Sequence, residues 1–228
     1  MKETLTQSIQ DYLKQIYELN ENGENASTSQ LAEQLKVAPA SVTGMLQKLA
    51  SSRLPLVHYK KHQGVTLTGA GERAALEIIR HHRLLETYLV SVLGYTWDEV
   101  HKEACRLEHA ISEDFETRIA SALGNPTRDP HGAPIPDKDL KLPSFKAYRL
   151  AALRNDESAT IQRVPDEEPA LLRYLGEVGI VPEARVTVSN YSELDGDLTL
   201  RVEGREENIV LGTTITNQIF IKLGYPPS

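Results

Sequence analysis

The stretch His101-Lys-Glu-Ala-Cys105-Arg-Leu-Glu108-His109 gathers imidazole, thiol and carboxylate groups into a short span. Read at about 3.6 residues per turn, His101, Cys105, Glu108 and His109 fall on one side of a helix. That donor mixture suits a transition-metal ion, whereas calcium and magnesium prefer oxygen-only cages. A second stretch, His81-His82-Arg83-Leu84-Leu85-Glu86, repeats the idea, because His82 and Glu86 are four apart. Helical neighbours at that spacing have Cβ atoms about 5–6 Å apart and can converge on one ion. A single His-x3-Glu pair would read as a solvated helix face; two clusters around the chain's only cysteine point to metal.

The elements that would position these groups are mostly helical. Residues 5–22 form an amphipathic helix with Ile9, Tyr12, Leu13, Ile16 and Leu19 as its apolar stripe and Gly23 at its end. Asp11 lies beside that stripe and reads, by itself, as a surface acid. Ser27 with Gln30 is a capping-box signature for a short second helix through Leu35. After Lys36-Val37-Ala38, Pro39 opens a third helix with Val42, Met45, Leu46 and Leu49 on its apolar face. Its other face, Ala40, Ser41, Thr43, Gly44 and Gln47, is slim and polar, as in a helix that enters the DNA major groove. Strands Leu56–Lys60 and Val65–Thr68, joined by Lys61-His62-Gln63-Gly64, then make a wing with Lys60 and Lys61 at its tip.

Charge agrees with that placement. The 228-residue chain carries a net charge of −7, yet Lys36–Gly64 contains Lys36, Lys48, Arg53, Lys60 and Lys61 and no acidic residue. Lys48 thus joins the candidate DNA contacts. One cysteine cannot form an internal disulfide, and no apolar run approaches the ~20 residues of a membrane helix. With no signal peptide at Met1-Lys2-Glu3-Thr4, the expected compartment is the cytoplasm.

Thr68 caps a long helix of about 70–93, apolar over much of its girth (Leu76, Ile79, Leu84, Tyr88, Val92); Thr96 caps the Cys105 helix and Ser112 starts another through Leu123. This helical trio reads as a dimerisation unit. A connector over 125–143, punctuated by Pro126, Pro130, Pro134, Pro136 and Pro143, carries His131, which alone reads as a solvated loop histidine. From about Phe145 short alternating strands follow, interrupted by a helix over Pro169–Val178, and predict a small, partly open barrel. No Gly-rich phosphate loop, nucleophile elbow or His-Glu-x-x-His motif occurs.

The residues Asp11-Tyr12-Leu13-x-x-Ile16-Tyr17-Glu18-Leu19, Ser41-Val-Thr43, Leu67-Thr68-x-x-Gly71, His82-Arg83-Leu84-x-Glu86, Val100-His101-x-Glu103-Ala104-Cys105-x-x-Glu108-His109 and Gly132-x-Pro134-Ile135-Pro136 resemble the diphtheria-toxin-repressor family of metal-dependent regulators. The resemblance runs over nearly the whole chain. It implies a mainly α fold with a small β domain: a winged helix-turn-helix (1–70), a helical metal-binding and dimerisation domain (71–142) and a C-terminal SH3-like barrel (143–228). It also implies a homodimer that binds a palindromic operator on double-stranded DNA when a divalent metal is present. A primary metal site would comprise Asp11, His82, Cys105, Glu108 and His109. A second would use Glu86 with either His101 or His131 and a carboxylate from Asp166-Glu167-Glu168, Asp166 being the assigned one.

Two sites per subunit follow, for Mn²⁺ or Fe²⁺. The iron-type pattern has methionine at the place of Asp11, and the manganese-type pattern has a carboxylate at the place of Cys105. A hard oxygen favours manganese and a thiolate the softer metals; the balance falls towards manganese. Three other readings keep the same residues: a metalloenzyme with a winged-helix interaction module, a cysteine hydrolase using Cys105 with His109, and a metal-independent repressor with a vestigial site.

Overall fold

The computed structural model describes residues 5–21, 23–143 and 148–223, so Asn22, Phe145 and Met1–Thr4 lie outside the described residues. The chain divides into two units, each described by itself. One takes in residues up to His82 with Glu108–Ile111 and Pro136–Lys141; the other takes in Arg83–Leu107, Ser112–Ile135 and the chain from Leu142 on.

In the first unit α1 (Gln7–Asn20) buries Tyr12, Leu13 and Ile16. The capping box forms as the sequence predicts: the Gln30 amide donates to Ser27 Oγ at 3.1 Å, and the Ser27 amide donates to Gln30 Oε1 at 2.9 Å. It opens α2 (Thr28–Gln34), and Pro39 occupies the first turn of α3 (Pro39–Ser51). The wing is the antiparallel pair β1 (Val57–Lys60) and β2 (Gly64–Leu67), in register Val57↔Leu67 to Lys60↔Gly64. Leu13, Ile16, Leu31, Val42, Leu46 and Val65 close a single core beneath these elements. Burying each such side chain contributes roughly 1.5–3 kcal/mol. Thr68 Oγ1 accepts from the Gly71 amide at 3.1 Å and so caps α4 (Gly69–Leu93). A Cβ on Gly71 would sit 1.9 Å from the Leu56 carbonyl oxygen, so the helix starts against the wing only because that residue is glycine.

In the second unit α5 (Val100–Leu107) and α6 (Glu113–Ala122) follow, with Ser112 Oγ accepting from the Phe115 amide at 3.2 Å. Six strands make one antiparallel sheet: β3 (Tyr148–Arg149), β4 (Ser158–Arg163), β5 (Arg185–Tyr191), β6 (Leu198–Val202), β7 (Asn208–Leu211) and β8 (Phe220–Leu223), in order β3-β8-β4-β5-β6-β7. Alternate residues such as Val186, Val188, Leu198 and Leu200 face the core with Leu172 and Leu175 of α7 (Pro169–Val178). Strand β3, a 3-10 turn at Leu150–Ala152 and the four-residue α8 (Thr213–Thr216) were not legible in the periodicity. Val92, expected inside, is 55 % exposed near the end of α4.

One expectation about the site fails at this level. The Cys105 helix stops at Leu107, so Glu108 and His109 do not share a helical face with His101 and Cys105. Past the helix end Glu108 is held by distant residues: His81 Nδ1 lies 3.0 Å from its backbone oxygen, and His82 and Lys14 hold its carboxylate. A carboxylate at a helix C-terminus is unfavourable in any case.

Candidate metal centres and nucleic-acid interface

The first cluster lies within the first unit. Donor atoms of Asp11, Glu108 and His109 lie within 4.8 Å of one another. His109 Nε2 is 2.9 Å from Asp11 Oδ1 and 3.4 Å from Glu108 Oε1. The other imidazole nitrogen, Nδ1, lies 2.9 Å from Gln10 Oε1. His82 Nδ1 meets Glu108 Oε2 at 2.5 Å. Lys14 Nζ donates to Glu108 Oε2 at 2.9 Å and to Oε1 at 3.2 Å. Helical spacing explains the joint arrival of Asp11 and Lys14, because they are three apart on α1 and share a face. Burial pushes the Glu108 carboxyl up, but His82 and Lys14 outweigh it and hold the group at about 2. Asp11 moves the other way: burial raises it and Glu108 repels it, against His109 and Lys14.

The second cluster lies within the second unit, and the one carboxylate of Glu86 organises it. Glu86 Oε1 is 3.2 Å from His101 Nδ1, and Oε2 is 3.4 Å from His131 Nδ1. Donor atoms of Glu86, His101 and Asp166 lie within 4.8 Å of one another, as do those of Glu86, Asp129 and His131. Both candidate histidines therefore reach Glu86. His131 is 0 % exposed, which corrects its reading as a solvated loop histidine. Its Nε2 lies 2.6 Å from the Trp97 carbonyl, which can only accept, so Nε2 carries the proton and Nδ1 faces Glu86. Of the three acids after β4, Asp166 faces the cluster; Glu167 and Glu168 are exposed. Cys105 also belongs to the second unit, with Sγ 3.5 Å from His101 Nε2.

Sequence reasoning missed Asp129. Its Oδ1 accepts from the amides of His131 and Ala133, both at 2.9 Å, and this folds the proline-rich connector into a tight loop. The loop leans on β4: the Val164 amide donates to the His131 carbonyl at 3.0 Å, and a Cβ on Gly132 would sit 1.9 Å from Gln162 O. An aspartate two residues before a histidine in a proline-rich turn was the available signal. Lys14 and Gln10 were also missed, since a lysine next to an apolar stripe reads as solvated.

The donors fit a divalent cation. Among the described residues, buried Asp129 Oδ2 and His131 Nδ1 make no hydrogen bond; Oδ2 is 3.7 Å from Arg83 Nε and Nδ1 is 3.4 Å from Glu86 Oε2. Buried polar atoms usually find partners, and an ion among Glu86, Asp129 and His131 would supply one to each. Without it, burial and repulsion from Glu86 push Asp129 up to about 6, while Glu86 and Asp129 overcome burial and lift His131 to about 9.

On α3 the residues Ala40, Ser41, Gly44, Gln47 and Lys48 are exposed, as are Lys60 and Lys61 on the wing; Thr43 is half-buried and donates to the Pro39 carbonyl at 3.1 Å. An acid-free, basic surface carrying a slim helix face is what phosphate and base-edge contacts require.

Comparison with known proteins decides the family. An "Iron dependent repressor, N-terminal DNA binding domain" matches residues 4–65, an "Iron dependent repressor, metal binding and dimerisation domain" matches 68–137, and a FeoA domain matches 148–223. The iron-dependent repressor IdeR of Mycobacterium leprae (strain TN) is 34 % identical over 220 residues, 91 % of this chain and 93 % of that protein. The chain belongs to the diphtheria-toxin-repressor family of metal-dependent transcriptional regulators. The diphtheria toxin repressor of Corynebacterium diphtheriae is 29 % identical over 90 % of this chain and 85 % of its own length. A solved manganese-dependent transcriptional repressor in complex with manganese superposes with a TM-score of 0.87 at 40 % identity, covering 93 % of this chain and 98 % of that one. ScaR with bound Zn²⁺ superposes at 0.80 with 32 % identity, covering 94 % and 98 %. These relatives are repressors, so the metalloenzyme and cysteine-hydrolase readings fall, and the winged-helix, helical and SH3-like plan stands.

Proposed function

We propose that divalent metal activates a homodimer of this chain to bind a palindromic operator and repress metal-homeostasis genes. The domain limits would be 1–70, 71–142 and 143–228, and the protein would act in the cytoplasm, with its DNA. The observation that carries this reading is the meeting of Asp11 from α1 with Glu108 and His109 from the segment after α5. The matched DNA-binding domain contains Asp11 and the matched dimerisation domain contains Glu108 and His109. An ion held by all three therefore ties the reading head to the part that sets its spacing.

A bound ion supplies concentrated positive charge and a fixed ligand geometry, nothing more. The chain's own residues do the rest. Asp11, Glu108 and His109 hold the first ion with His82, and the family pattern adds Cys105. Glu86 would hold the second, either with His101 and Asp166 or, newly, with Asp129 and His131, the two groupings in which the donor atoms lie together. Oxygen donors at Asp11, Asp129 and Asp166 favour Mn²⁺ over Fe²⁺. The solved repressor that carries manganese at 40 % identity supports the same choice. Exposed Val92, Leu93, Tyr95 and Phe115, all inside the matched dimerisation domain, support the homodimer.

The test is operator binding on the protein's own promoter region, with Mn²⁺, with anaerobic Fe²⁺ and after exhaustive chelation. Metal should raise affinity by one to two powers of ten, the size of a typical coupling of ~1–3 kcal/mol. Asp11→Ala should lose that gain while still binding some metal. Lys60→Ala or Lys61→Ala should weaken binding on every sequence and lower the salt slope by about one. Unchanged operator affinity after chelation would sink the reading.

A further inference from the structure

Lys14 is a lysine placed where a cation sensor would not be expected to spend one. Its side chain is 8 % exposed, and its ammonium spans both oxygens of Glu108, at 2.9 and 3.2 Å. Burying an ammonium is costly unless a carboxylate answers it, and a lysine carries its charge as a compact point rather than a spread plane. The partner chosen is a carboxylate of the candidate ion site, and α1 delivers Lys14 on the same face as Asp11. The positive charge that the cluster asks for is therefore already present, supplied by the chain itself.

We propose that Lys14 is a tethered competitor for the metal, holding Glu108 in the metal-free protein and setting how much divalent cation is needed to displace or share that carboxylate. The proposal rests on the metal reading above. It makes the residue a determinant of sensing threshold rather than a ligand. Removing the charge should tighten metal binding, because the ion would meet Glu108 without a rival cation beside it. The same change should weaken the metal-free protein, because Glu108 would lose its resident counter-charge.

The experiment compares the full-length chain with Lys14→Met, Lys14→Gln and Lys14→Arg. Mn²⁺ affinity is measured by calorimetric titration, and Tm is measured in chelator and in saturating Mn²⁺. The Mn²⁺ site in question is the one whose affinity falls in Asp11→Ala. Lys14→Met and Lys14→Gln should bind Mn²⁺ there at least about tenfold more tightly, a gain of 1.4 kcal/mol. Lys14→Arg, which keeps the charge, should stay within about threefold of wild type. The Tm rise on adding Mn²⁺ should grow in the neutral variants, since the metal-free Tm falls and the loaded one does not. Lys14→Gln keeps a donor for Glu108 and serves if Lys14→Met fails to fold without metal. Unchanged or weaker Mn²⁺ binding by the neutral variants overturns the competitor role and leaves the metal reading intact. A wild-type protein with no Asp11-dependent Mn²⁺ site overturns both.

Discussion

Two carboxylates anchor the two clusters, and they are treated in opposite ways. Glu108 is surrounded by positive or potentially positive groups, Lys14, His82 and His109, and among the described residues Asp11 adds the one like charge in its cluster. Glu86 lies with Asp129 and Asp166, and these three acids are answered by His101, His131 and, 3.7 Å from Asp129, Arg83. The Glu108 cluster is also the more open one, with the Asp11 side chain 38 % exposed, whereas Glu86 and His131 are both 0 % exposed. Where acids are kept apart from water and crowd one another, as burial and Glu86 raise Asp129, an added cation stabilises the fold. A set already neutralised can gain or lose its cation without collapse. We read the Glu108 cluster as suited to switching and the Glu86 cluster as suited to holding the fold in shape.

The largest test of this contrast is to delete each anchor's partner. Glu108→Ala strands the Lys14 ammonium in a buried place, and breaking such a pair costs about 3–5 kcal/mol. Urea unfolding of the metal-free protein should register that loss. Asp129→Asn should do the reverse, because its Oδ1 still accepts the two amides while the charge repelled by Glu86 disappears. Metal-free stability at pH 7 should then rise by ~1–2 kcal/mol, and the added stability from Mn²⁺ should shrink. Destabilisation by Asp129→Asn in the absence of metal would contradict the frustrated-acid picture.

A pH series sharpens the comparison with smaller effects. Glu108 is depressed to about 2, so its contribution is complete above its ordinary 4.5 and is lost as pH falls towards 2. His131 is raised to about 9, so its contribution is complete below 6.5 and is lost as pH rises through 9. The metal-free Tm should therefore decline on both flanks, and Mn²⁺ should abolish the alkaline decline, because an imidazole ligated through Nδ1 has already given up the proton that titrates there. An alkaline decline of equal size with and without Mn²⁺ would exclude His131 as a ligand.

The smallest signal is optical. Trp97 is the only tryptophan, and its ring stacks on His131 at 5.9 Å between centroids. Filling the Glu86 cluster should shift or quench its emission, while the Glu108 cluster should stay silent. A His131→Ala variant whose emission still responds to Mn²⁺ as wild type does would remove that assignment.

How much of this was legible depended on whether chemistry followed local periodicity. The capping box at Ser27, Pro39 at the start of α3, the wing and Thr68 as a cap depend on neighbours in sequence, and all formed as read. His101 and Cys105 do lie a turn apart on one helix, but the same periodicity carried past Leu107 gave the wrong face for Glu108. What holds Glu108 there, His81 and Lys14, comes from far along the chain and leaves no mark in the local pattern. Asp129 was hidden for the same reason. Its role depends on a loop that closes on its own amides and then leans on β4, and proline content alone made that stretch look like a spacer.

The seating of Gly132 against Gln162 has a consequence for anyone dissecting this protein by truncation. Removing the chain beyond Lys141 looks like the clean excision of an accessory module. It would in fact take away the wall on which the His131 turn rests and Asp166 with it, although neither change touches the winged helix. A shortened protein that no longer answered metal would then be read as proof that the sheet transmits a signal. The simpler reading is that the blade had passed through the Glu86 cluster, and deletion maps of this chain should be drawn with that seam in mind.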